Sequence, residues 1–66
     1  MKVHYDKATD AVYIRLTDAP VVDSEEVRPG IVLDFDAKGR VISVEIRSVS
    51  KQLPDADVGR MQLEVA

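Results

Sequence analysis

The sequence has no cysteine, no tryptophan, one histidine and only three residues of tyrosine and phenylalanine among 66. Without cysteine, no disulfide can stabilise the fold. No apolar run approaches the ~20 residues of a membrane-spanning helix, and the first residues lack the apolar segment of a secretory signal. We therefore expect a cytoplasmic protein that does not enter a membrane.

Basic side chains are also few: nine Lys and Arg stand against twelve Asp and Glu, for a net charge of −3. Nucleic-acid binding proteins usually carry a basic patch or stripe, so this balance disfavours that function. No serine lies in a nucleophile motif of the G-x-S-x-G kind, and the glycines form no phosphate-binding loop. The composition is otherwise that of a globular protein, 45% hydrophobic and 32% charged.

The small size of the chain limits its stability. Folding of a chain of this mass removes roughly 6,400 Å² from water. With about 60% of that area apolar, its burial contributes about 95 kcal/mol at ~25 cal/mol/Å². Ordering the chain costs about 100 kcal/mol. Because the two terms cancel, we expect one domain over residues 1–66 that is supported by self-association, with a dimer favoured, or by a small partner protein.

Apolar and polar side chains alternate along most of the chain, which is the period of a β-strand with one buried face. The pattern predicts a mainly β protein, a small antiparallel meander of four to five twisted strands. The predicted strands span 2–5, 11–17, 21–27, 31–36 and 41–48. The acidic side chains of 21–27 are typical of an edge strand.

Turn signals separate these strands. Arg28-Pro29-Gly30 is one such signal, and Asp36–Arg40 is a hairpin loop in which Gly39 is expected to be left-handed. The tail is less regular. A loop or helical turn is predicted near 53–58, and alternation over 60–65 suggests a last short strand, with a helix over 53–61 as the alternative.

One face of the predicted sheet is apolar and has to be covered. The chain has no long amphipathic helix to cover it, which leaves three solutions: the sheet curls on itself, the tail lies over it, or a second copy stacks on it. We expect the tail and a dimer together. The residues of this face are Val12, Ile14, Leu16, Ile31, Leu33, Phe35, Ile42, Val44 and Ile46.

Few side chains suggest chemistry. His4 has no nucleophile motif near it, so no catalytic residue is assigned. Carboxylates beside turns could bind Mg²⁺ or Ca²⁺, which leaves a metal-binding or enzymatic protein as the alternative function, but their spacing matches no calcium loop and no cofactor is expected. The candidate interaction face comprises Tyr13, Arg15, Arg47, Met61 and Leu63.

Three segments together carry a family resemblance. They are Tyr5-Asp-Lys-Ala-Thr-Asp-Ala-Val-Tyr-Ile-Arg-Leu16, Val27-Arg-Pro-Gly-Ile-Val-Leu-Asp-Phe-Asp36 and Gly39-Arg-Val-Ile-Ser-Val-Glu-Ile46. In this order, over a family-like core of residues 1–51, the chain resembles a family of small prokaryotic proteins catalogued as a domain of unknown function, DUF2283. The tail, 52–66, lies outside the resemblance.

The resemblance implies a compact cytoplasmic protein without assigned catalytic residues. It also implies an antitoxin role as one suggestion, because some members are encoded beside small toxin-like proteins. From the residues and the resemblance together, the leading hypothesis is a non-enzymatic interaction module that self-associates or binds a small partner.

Overall fold

The computed structural model describes residues 1–66 and contains five strands and one helical turn. The elements are β1 (Lys2–Asp6), β2 (Ala11–Arg15), β3 (Asp23–Arg28), β4 (Ile31–Phe35), β5 (Val41–Ile46) and α1 (Val49–Gln52). All pairings are antiparallel. The prediction of a small, mainly β antiparallel sheet is confirmed, with each of the five strand ranges shifted by at most two residues at either end.

The strands form one sheet in the order β1-β2-β5-β4-β3. β3, β4 and β5 follow one another as a meander, and the β1–β2 hairpin joins this meander through the pairing of β2 with β5. Since β2 and β3 are not neighbours, the segment 16–22 passes along one end of the sheet to reach the β3 edge. The two edges are therefore β1 and β3, and β5 is the central strand.

Glycine permits the turns at two positions. Gly39 has φ +75° in the β4–β5 loop, and Gly30 has φ +79° between β3 and β4. Both values lie in the left-handed region that disfavours residues with a Cβ. The left-handed Gly39 expected from the sequence is confirmed.

Replacing Gly39 with valine should lower the free energy of unfolding by about 1–2 kcal/mol, because a β-branched residue is strained at this φ. A Cβ built at this position meets no atom within 4 Å, so steric clash adds nothing. Gly59→Val is the matched control, since Gly59 has no left-handed φ. Urea denaturation measures both variants, and equal stability of Gly39→Val and wild type would contradict the turn geometry.

The fully buried hydrophobic core is small, and Ile42, on the central strand, is 1% exposed. Its members are Ala11, Val12, Val32, Ile42 and Val49. Most other side chains of the predicted apolar face are half-buried. Leu16 was predicted on that face but is 40% exposed, because β2 ends at Arg15 and the chain turns away towards β3.

The helical turn α1 is fixed to the β1–β2 hairpin by Asp10. The Asp10 carbonyl oxygen accepts a hydrogen bond from the Val49 amide at 2.9 Å, and its carboxylate accepts one from the Ser50 hydroxyl at 2.6 Å. These contacts hold Val49 in the core at 2% exposure. The sequence predicted a loop or helical turn near 53–58, and this segment is a loop with turns. The one helical turn of the structure lies just before it, at 49–52.

The predicted last strand over 60–65 is not formed. A strand needs a neighbour to receive its backbone hydrogen bonds, and no strand of this chain pairs with the segment. Alternation in the sequence determines which side chains share a face, but it does not provide a second strand for the segment to pair with. No helix of the structure has the length and apolar character needed to cross a membrane.

Candidate functional site: an apolar patch at the β1 edge

The first part of the tail covers one half of the apolar sheet face. There the register places Val3 opposite Ile14 and Tyr5 opposite Val12, so these four side chains point to one side. The tail lies across them and leaves a shallow cleft. The cleft is lined by Val3, Tyr5, Val12, Ile14, Ala56, Asp57, Val58, Arg60 and Met61. The tail therefore covers part of the apolar face, which is one of the three arrangements predicted from the sequence.

Beyond this cleft the tail and the N-terminus leave an apolar patch exposed. A second hollow is lined by Met1, Val3, Met61, Gln62 and Leu63, at the start of β1, which is an edge strand of the sheet. Met1 is 85% exposed, Met61 68% and Leu63 86%. We call Met1, Val3, Met61 and Leu63 the edge patch. Clustered exposed apolar side chains are typical of interaction sites, whereas single ones need no explanation.

The opposite sheet face is mostly polar, although the buried Val32 lies on it, opposite Glu45. Tyr13 lies opposite both His4 and Glu45, and the Arg47 guanidinium donates to the Glu45 carboxylate at 2.9 Å. The negative charge of Glu45 raises the pKa of the Tyr13 hydroxyl. The same carboxylate raises the pKa of Arg47, through a hydrogen bond and through its charge. These contacts make an ordinary cross-strand polar network.

The residues of the predicted interaction face lie on two separate surfaces. Tyr13, Arg15 and Arg47 belong to the polar face, where Arg15 donates to the Ala19 carbonyl at 2.9 Å. Met61 and Leu63 belong to the tail, on the apolar side. The structure therefore brings Met61 and Leu63 together at the edge patch and leaves the other three elsewhere. Sequence reasoning missed Met1 and Val3 as neighbours of the tail, because nothing local links the two ends of the chain.

The metal-binding alternative depended on the carboxylates beside turns. Asp6 and Asp36 accept hydrogen bonds from backbone amides of their own loops. Asp6 accepts hydrogen bonds from the amides of Ala8 and Thr9 at 3.0 and 3.4 Å. Hydrogen bonds from Thr9, its hydroxyl first, lower the pKa of Asp6. Asp36 accepts from the amides of Lys38 and Arg40, both at 2.9 Å. These are the ordinary roles of aspartate in turns.

Asp34 lies within the sheet and accepts hydrogen bonds from the hydroxyls of Ser24 and Ser43 on its two neighbouring strands. The Ser24 hydrogen bond, followed by that of Ser43, lowers the pKa of Asp34. The three side chains join β3, β4 and β5 on the polar face. No group of three or more His, Cys, Asp or Glu side chains is arranged to hold a metal ion.

Comparison with known proteins identifies the chain. The family model described as "Protein of unknown function (DUF2283)" matches residues 2–50, which include all five strands and the start of α1. No curated protein and no solved structure matches significantly. The segment 51–66, which includes the edge-patch residues Met61 and Leu63, lies outside the match. Since the match covers well over half of the chain, this protein belongs to the DUF2283 family.

Proposed function

We propose that this protein is a non-enzymatic interaction module whose first partner is a second copy of itself, bound through the edge patch. The observation that carries this proposal is the exposure of Met1, Met61 and Leu63 side by side at the open edge of the sheet. Three large apolar side chains that are 68%, 85% and 86% exposed contribute little to the stability of a single chain. They become stabilising when a second surface removes them from water.

The surface area of the single chain supports a partner of this kind. The chain exposes 5240 Å², whereas a compact chain of this mass exposes about 4,200 Å². Its radius of gyration is 12.6 Å, against about 10.8 Å for a compact chain of this length. The surplus of about 1,000 Å² is close to the ~800 Å² that each partner buries in a standard interface. A dimer would return the chain to the surface area that its size predicts.

Light scattering behind size exclusion, repeated over a hundred-fold dilution, tests the proposal. We expect a mass of twice 7.3 kDa at high concentration, with dissociation on dilution setting the affinity. A folded monomer at every concentration would contradict self-association.

Leu63→Lys should weaken the dimer at least tenfold, because it places a charge in the edge patch. Leu63 is 86% exposed in the single chain, so the melting temperature of the monomer should not change. Leu53→Lys, the same substitution at an exposed leucine that does not line the patch, is the matched control. Loss of the dimer in Leu33→Lys but not in Leu63→Lys would instead place the second copy on the β4–β5 half of the apolar face.

A small partner protein is the other occupant that the same surface could accept, in the way of an antitoxin that binds a toxin. The net charge of −3 would favour a basic partner. If the chain is a monomer, co-expression with the product of a neighbouring toxin-like gene decides this form of the proposal. Rescue of growth by wild type but not by Leu63→Lys would support it.

A further inference from the structure

The two edges of the sheet differ in their ability to pair with another strand. On β3, the side chains of Asp23, Glu25 and Glu26 are exposed, and a register shift lies between Glu26 and Arg28. Acidic side chains and irregular backbone both discourage edge pairing, and two copies of β3 would oppose acid to acid. β1 is regular over its five residues, and its two charged side chains, Lys2 and Asp6, are of opposite sign, so two copies of β1 can pair without like charges facing each other.

The outer backbone of β1 has no partner in the single chain. Its strand hydrogen bonds go to β2, and no other backbone hydrogen bond involves residues 2–6. The tail lies on the apolar face of β1 without bonding to its backbone. The outer amides and carbonyls are therefore free to receive a strand, and they border the edge patch.

The sequence of β1 is complementary to itself in one antiparallel register. When two copies are centred on His4, Lys2 of each lies opposite Asp6 of the other, and Val3 lies opposite Tyr5. Residues directly opposite in an antiparallel pair share a face, so the apolar pairs lie on the apolar side and the ion pairs on the polar side. A shift of one residue would oppose Val3 to a polar residue, and a shift of two towards the N-terminus would oppose Lys2 to His4. A shift of two towards the C-terminus would oppose Val3 to Lys7.

We infer that two copies of this chain join through β1 in this register and form one continuous ten-stranded antiparallel sheet. This inference rests on the proposed self-association and specifies its geometry. The two-fold axis passes between the two His4 residues and keeps both apolar faces on the same side of the sheet. Met61 and Leu63 of each copy then lie along the seam, beside Tyr5 of the second copy, which covers the edge patch.

A single cysteine tests the register directly, because the natural chain has none. His4 is exposed on the polar face, so His4→Cys should leave the fold intact. Residues paired across the axis have Cα atoms about 4.5–5.5 Å apart, within the range of a disulfide. Under mild oxidation, His4→Cys should form a covalent dimer at least tenfold faster than either control below.

Two controls keep the test specific. Glu26→Cys places an exposed thiol in the same cross-strand row, on the opposite edge of the sheet, through the register His4–Tyr13–Glu45–Val32–Glu26. Lys2→Cys places the thiol on β1 itself, where the proposed register separates the Cα atoms of residue 2 in the two copies by about 13 Å along the strand. Both should cross-link slowly.

The outcomes separate this inference from the proposed function. Slow cross-linking of His4→Cys in a protein that light scattering shows to be a dimer would overturn the β1 pairing and leave self-association standing. Fastest cross-linking of Lys2→Cys would overturn the register. A monomer that does not cross-link would contradict both proposals. This result is expected if the tail of the same chain occupies the outer edge of β1.

Discussion

Replacing Ile42 with aspartate is expected to unfold the protein. Ile42 is 1% exposed on β5, the central strand, between β2 and β4. A buried carboxylate without a partner costs several kcal/mol, which is a large part of the stability available to a domain of this size. Circular dichroism should show an unfolded chain at 25 °C and no cooperative melt.

The neighbouring residue provides the control for this experiment. Val41 lies on the same strand but is 40% exposed, so Val41→Asp should change the free energy of unfolding by no more than about 1 kcal/mol. A wild-type melt for Ile42→Asp would mean that β5 is not central to the fold.

Asp36→Ala should produce the second-largest loss of stability, a fall in melting temperature of about 5–10 °C. The Asp36 side chain is 6% exposed. It accepts hydrogen bonds from the Lys38 and Arg40 amides at 2.9 Å, and from the Arg40 guanidinium at 2.8 Å. Alanine leaves these donors without their acceptor. Asp55→Ala, at an exposed aspartate, should melt like wild type.

The same carboxylate makes stability depend on pH. Hydrogen bonds from the Arg40 amide, then from its side chain, lower the pKa of Asp36 in the folded state below its ordinary value of 3.8. The unfolded state therefore binds a proton at higher pH than the folded state does. It follows that the stabilisation is present above the ordinary pKa and is lost as the pH falls through the folded pKa.

Melting temperatures measured from pH 7 to pH 3 test this sign. Wild type should lose stability as the pH falls, and Asp36→Asn should lose less, because its side chain does not titrate. The lowered pKa values of Asp6 and Asp34 act in the same direction, so the variant should retain part of the loss. Parallel curves for the two proteins would contradict the role of Asp36.

The sequence was sufficient to predict the strands because each one is defined by neighbours along the chain. Alternation of period two identified all five, and the left-handed Gly39 followed from the loop between two of them. The same reasoning failed at Leu16, where the strand ends before its pattern does. It also failed for 60–65, where alternation is present but no strand of the chain pairs with it.

The features that the sequence could not predict depend on contacts between distant residues. The burial of Val49 requires Asp10 to bind Ser50, 40 residues away. The edge patch requires the N-terminus and the tail to meet at β1. Local pattern by itself determined that this protein is an antiparallel sheet with one apolar face. Only the tertiary structure decided which strand lies at the open edge and which apolar side chains remain in water there, because strand order and tail position are set by long-range packing rather than by propensity.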